Sequence, residues 1–149
     1  VNDTTDELDE TVIVTLSSPV EATLGATAVY TYTIQDNDNP TVQFTSTSAN
    51  GAESVNAVNI GLTASAAPVA DVQVTYTVTG TATGSGMDYT LANGTATIAA
   101  GQTTVNIALS VVDDIIPDVG ETVIVTISSP TNATLGTTTV HTYTINDND

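Results

Sequence analysis

The stretch DETVIVTLSSPVEATLGATAVYTYTIQDND, residues 9–38, falls without a gap on GETVIVTISSPTNATLGTTTVHTYTINDND, residues 120–149. The offset is constant at 111 residues, from Val1 on Val112 to Asp38 on Asp149. A period of that size is a domain-sized repeat, so the chain must fold as copies of one small unit. Residues 42–149 form one complete unit, residues 39–41 a linker, and residues 1–38 the closing third of a preceding unit.

Alternation of apolar and polar residues sets the architecture of that unit. Val42 and Phe44 open a first strand, and Val58, Ile60 and Leu62 mark a second. Val72, Val74, Tyr76 and Val78 mark a third, Ile98 a short fourth, and Val105, Ile107, Leu109 and Val111 a fifth. Val123, Val125 and Ile127 make the sixth, and His141, Tyr143 and Ile145 the last. All have period 2, and none sustains a helical period. Turn-forming clusters such as SAAP, NG and SSPTNATLG separate them,. Seven short strands in about 110 residues predict an all-β fold, a seven-stranded antiparallel immunoglobulin-like sandwich, preceded by the last two strands of another repeat.

Reversing direction at each connection sends eight acids of the complete unit to one end: Glu53, Asp88, Asp113, Asp114, Asp118, Glu121, Asp147 and Asp149. The matching end of the partial repeat holds Asp3, Asp6, Glu7, Asp9, Glu10, Asp36 and Asp38, so 15 of the 17 acids are gathered and only Glu21 and Asp71 stray. A surface charged for solubility alone would scatter them. No Lys or Arg is present, and the net charge is −17. Two carboxylates about 4 Å apart repel by roughly 4 kcal/mol at an effective dielectric near 20, which a bound cation relieves. Calcium accepts six to eight oxygen ligands in flexible geometry, whereas magnesium demands a tight octahedron and zinc prefers nitrogen or sulfur. Calcium is the expected ion.

The same charge excludes other partners. A polyanion is repelled by nucleic-acid phosphates and by anionic lipid headgroups. No apolar run reaches the length of about 18 residues that spans a membrane, so no direct membrane insertion is expected. An enzymatic use of paired carboxylates, as in glycoside hydrolysis, would need features this chain lacks: aromatic residues are 4% of the sequence and there is no basic group,. The chain is therefore expected not to be an enzyme. His141, the one imidazole, stands where Tyr30 stands in the other repeat and reads as a packed strand residue.

The segments TGTATGSGMDY, GTATIAAGQTTVNIALSVVDD, GETVIVTISSPTNATLG and YTINDND, in that order and spacing, resemble the Calx-beta repeat family over essentially the whole chain. The resemblance implies a seven-stranded sandwich that binds calcium in its distal loops. Its ligand pattern falls on Glu53, Asp88, Asp113, Asp114, Asp118, Glu121 and the terminal DND, with Asp118 standing where a longer Glu is usual. In the partial repeat the corresponding metal candidates are Asp3, Glu7, Glu10, Asp36 and Asp38.

These features lead to an expected function: a structural repeat of an extracellular or cell-surface adhesin or filament, rigidified by calcium at the junctions between repeats. The alternative is a calcium-sensor module regulating an attached transporter or receptor domain. In residues 1–38, Val12, Val14, Leu16, Tyr30, Tyr32 and Ile34 need cover that two strands cannot give themselves,. Adjacent repeats of the same chain, or neighbouring subunits, are the expected source of it.

Overall fold

The computed structural model describes residues 3, 5–117 and 120–149. The chain forms two compact units, Val1–Asp38 and Asn39–Asp149.

In the first unit, β1 (Glu10–Thr15) pairs antiparallel with β2 (Val29–Ile34), with Val12 opposite Tyr32 and Val14 opposite Tyr30. The Leu16 amide extends the ladder by donating to the Ala28 carbonyl at 2.8 Å. Every residue of both strands is exposed.

The second unit is a sandwich of two five-stranded sheets. Its strands are β3 (Thr41–Phe44), β4 (Ser48–Ala52), β5 (Val58–Ala64), β6 (Val72–Gly80), β7 (Tyr89–Thr90), β8 (Gly94–Ile98), β9 (Thr104–Val111), β10 (Glu121–Thr131), β11 (Thr134–Leu135) and β12 (Val140–Asn146). One sheet runs β4-β12-β10-β6-β8 and the other β11-β3-β5-β9-β7. Alternate residues point inward, as period 2 requires. Val123, Val125 and Ile127 of β10 meet Phe44, Ile60, Leu62 and Leu109 of the facing sheet in one continuous core. His141 lies in that core as well, its Nδ1 2.9 Å from the Ser46 carbonyl oxygen and its ring tilted against Phe44.

The all-β sandwich agrees with the alternation, and its seven segments are all strands. Two details differ. The complete unit has three further strands, β4, β7 and β11, and two pairings are parallel, β4 with β12 and β3 with β11. The parallel pairing of β4 arises because the opening strand divides: β3 lies in one sheet, and after residues 45–47 the chain continues as β4 at the edge of the other. The sequence of β4, SANGA, has no apolar alternation to announce a strand. Two-residue strands such as β7 and β11 are too short to show a period.

One glycine fixes the path out of β6. Gly80 has φ of +135°, and a Cβ there would collide with the Thr122 carbonyl oxygen. That same oxygen accepts from the amides of Thr81 (3.0 Å) and Ala82 (3.1 Å), so the chain turns tightly against β10 before running on to Asp88. Among the described residues no helix is long and apolar enough to cross a membrane.

Candidate metal centre

Strand register gathers the acids. Ala52 pairs with Asn146 at the ends of β4 and β12, so Glu53 and Asp147 leave the sheet together. Glu121 pairs with Ile145, which starts β10 beside the end of β12. Tyr89 pairs with Val111, which sets Asp88 next to the segment carrying Asp114.

The result is a small cavity of about 10 Å³, lined by Glu53, Asp88, Asp114, Glu121 and Asp147 with Val112, Gly120 and Ile145. That is close to the space of one water-sized sphere. Carboxylate oxygens of Glu53, Asp147 and Asp149 lie within 4.8 Å of one another. Asp113 is exposed and is not among the lining residues. Asp118 lies outside the described residues.

Local hydrogen bonds hold these side chains. The Asp88 amide donates to the Thr83 carbonyl at 3.0 Å, and the Thr83 amide donates back to the Asp88 carboxylate. Asp114 Oδ1 accepts from the Ile116 amide at 2.7 Å, and Asp147 Oδ1 from the Asp149 amide at 3.0 Å. The bonds at Asp114 and Asp147 are Asx turns, in which an aspartate fastens its own loop two residues on,. Asn148 Oδ1 accepts from the Ser54 amide at 3.4 Å, tying the loop after β4 to the end of the chain. That contact and the strand β4 itself were not legible in the sequence, although strand reversal sends Glu53 and the terminal acids to the same end.

Glu53 is the electrostatic focus. Its side chain is only 6% exposed, and its Oε1 is a buried atom with no hydrogen-bond partner. Burial, first, pushes its carboxyl above the ordinary value of 4.5; the charge of Asp147, a hydrogen bond with Asp149, and the charges of Asp149 and Asp114 push the same way. A buried, unpartnered carboxylate oxygen is unfavourable unless something cationic meets it. With no Lys or Arg in the chain, that cation must come from outside. Clustered hard oxygen donors are the ligand type that calcium takes, so the residues fit this ion.

In the first unit, Asp3, Glu7, Glu10, Asp36 and Asp38 line a depression of about 410 Å³ together with Leu8, Tyr32 and Ile34. The Glu7 amide donates to Asp36 Oδ2 at 3.2 Å, and the Asp36 amide to Asp9 Oδ1 at 3.0 Å. The corresponding acids are thus brought together here too, around a wider and more open space.

The profile of the Calx-beta domain matches residues 35–149. The structure is similar to the crystal structure of the apo-form Calx CBD1 domain, at 18% identity and a TM-score of 0.68, over 75% of this chain and all of that one. It is also similar to the calcium binding domain CBD12 of CALX1.1, at 18% identity and a TM-score of 0.65, over 71% of this chain and 45% of that one. The Calx CBD2 domain matches at 17% identity and a TM-score of 0.63, over 70% of this chain and 84% of that one. At such identities the likeness is one of fold. No curated protein matches the chain significantly. The family match over 35–149, together with an acidic cluster at the end of a two-sheet sandwich, leads to one conclusion: the chain belongs to the Calx-beta family, whose domains bind calcium.

Proposed function

We propose that residues 39–149 are a non-catalytic, calcium-binding structural repeat of an extracellular or cell-surface adhesin or filament. In this reading Glu53, Asp88, Asp114, Glu121, Asp147 and Asp149 supply the ligands, and Asp113 adds charge beside Asp114. The observation that carries it is the buried Glu53 Oε1, unpartnered beside Asp147 and Asp149 in a chain with no basic side chain. A structural role is supported by the 111-residue repeat, since tandem units are how a chain builds length,. Asp36 and Asp38 stand directly before Asn39 in sequence, so an ion held by them would stiffen the chain where one repeat gives way to the next.

A second reading, a calcium-sensor module attached to a transporter or receptor, is favoured by the likeness to Calx calcium-binding domains.

Thermal melts in calcium, in magnesium and in chelator test the binding. Calcium should raise the midpoint most, by about 2.7 kcal/mol of stability per site at 100 times the dissociation constant. An unchanged melt under chelation would defeat the reading. Small-angle scattering of a multi-repeat chain then separates the two roles: a spacer lengthens and stiffens with calcium, whereas a sensor changes shape within one unit.

A further inference from the structure

β4 decides where Glu53 stands, yet its own side chains do not decide where β4 stands. It is an edge strand, paired on one side to β12. Its sequence SANGA has no apolar alternation and no fully buried side chain. Backbone ladder bonds form equally well after a slip of two residues, and strands of this composition are weakly fixed in register. Such a slip would carry Glu53 about 7 Å along β12, away from Asp147. The contacts that tell one register from the next must come from outside β4.

His141 supplies one. It is 3% exposed, lies in the core on β12, and sets its ring against Phe44 with centroids 5.7 Å apart. Its Nδ1 lies 2.9 Å from the carbonyl oxygen of Ser46, the middle residue of the crossing from β3 to β4. The Ser46 hydroxyl stands 3.4 Å from the same nitrogen. A carbonyl oxygen only accepts, so the proton sits on Nδ1, and Nε2 is left as a buried acceptor without a partner,. A buried polar atom in that state costs stability, and a phenyl ring would fill the same space without it. What the imidazole adds here is the bond at Nδ1. One residue on, the Thr142 amide donates to the Thr47 carbonyl at 3.0 Å, where the β4–β12 ladder begins. The ladder is thus fastened at its start by a side chain that cannot shift without opening the core.

We propose that His141 is a positioning residue for the metal site: its Nδ1–H bond to Ser46 sets the register of β4 on β12 and so places Glu53 beside Asp147 and Asp149. The role in calcium binding rests on reading Glu53 as a ligand; the register does not. Gly51, under the Tyr143 hydroxyl, limits how closely β4 lies, and His141 limits where it starts.

The test compares two variants. His141→Phe keeps a ring against Phe44 and deletes the donor. His141→Asn leaves the ring space empty but carries an Nδ2–H on the same carbon that bears Nδ1. Amide hydrogen exchange in chelator reads the register, and calcium titration reads the site. In His141→Phe the Glu53 and Thr142 amides should exchange faster by on the order of tenfold or more, with β6 and β10 still protected as the sign of folding. Its calcium affinity should fall by roughly tenfold, as for other groups that orient a metal ligand. His141→Asn should bind calcium more tightly than His141→Phe despite its looser core. A residue that merely packs would give the opposite order, and that order overturns the proposal, as does wild-type protection at Glu53 in His141→Phe. The ring nitrogen shifts of the unsubstituted protein need no variant: a proton on Nε2 in place of Nδ1 also overturns it. If the unsubstituted chain binds no calcium, the metal reading fails, while exchange at Glu53 still decides the register.

Discussion

The amide of Glu53 donates to the carbonyl of Asn146 at 3.0 Å, one step past the last pair of the β4–β12 ladder, Ala52 with Asn146. This bond carries the parallel pairing beyond the strand end and brings Glu53 out beside Asp147. β4 contributes little to the core: its side chains are Ser, Ala, Asn, Gly and Ala, and none is fully buried. Its effect is positional. Gly51 belongs to that role, because a Cβ there would meet the hydroxyl of Tyr143. The strand can therefore lie flat over β12, and Glu53 enters the acidic end already buried.

Glu53→Gln should have opposite effects with and without calcium. In chelator, a neutral amide removes the buried charge that Asp147, Asp149 and Asp114 oppose, so the melting midpoint should rise. In calcium the variant loses a ligand, and the affinity should fall by roughly tenfold or more, a size common for changes at metal sites. Paired thermal melts and a calcium titration read both arms. An equal drop under both conditions would make Glu53 a packing residue only.

The pH dependence of the metal-free protein follows from the same carboxyl. The folded value of Glu53 lies above 4.5, so over the window that begins at 4.5 the native state holds a proton that the unfolded chain has released. Stability rises with pH only where the unfolded state binds more protons; here it binds fewer, so this group makes stability fall as pH rises through the window. In calcium the trend should reverse, since the ion binds the ionised form. Urea denaturation in chelator and in calcium, from pH 4 to about pH 7, checks the two slopes.

How much of this was legible in the sequence differs by element. β9 and β10 announce themselves because Ile107, Leu109 and Val111, and Val123, Val125 and Ile127, recur at every second position and are apolar and buried. Counting strand reversals was enough to send Glu53, Asp88, Asp114, Glu121 and Asp147 to one end. β4 was illegible because its pairing energy comes from the backbone edge of β12 and not from its own side chains. The buried state of Glu53 was hidden for the same reason: Glu53 is itself brought in by a strand that leaves no pattern. Asp113 and Asp114, adjacent and alike in sequence, part company because only Asp114 turns toward the cavity.

Gly80→Ala should destabilise the second unit more than Gly101→Ala. Both glycines have positive φ, +135° and +77°, so an L side chain is strained at either, by about 1–3 kcal/mol,. Only at Gly80 does the new Cβ also strike backbone, the Thr122 carbonyl, which cannot move without loosening β10; around Gly101 there is nothing within 4 Å. Urea midpoints of the two variants rank them, and calcium titration of the Gly80 variant should also show weakened binding, since the displaced turn leads to Asp88. A Gly101 variant as unstable as the Gly80 variant would remove the steric argument.

Leu16 and Ile127 form a matched pair separated by the 111-residue offset, and their truncations should differ sharply. Ile127 is 2% exposed, so Ile127→Ala leaves a cavity in a close-packed core and should cost about 2–5 kcal/mol,. Leu16 is 59% exposed, so Leu16→Ala should change the stability of the 149-residue chain by within roughly 0.5 kcal/mol,. Urea denaturation of both variants reads this directly. A loss at Leu16→Ala as large as that at Ile127→Ala would show that Leu16 is covered in the 149-residue chain.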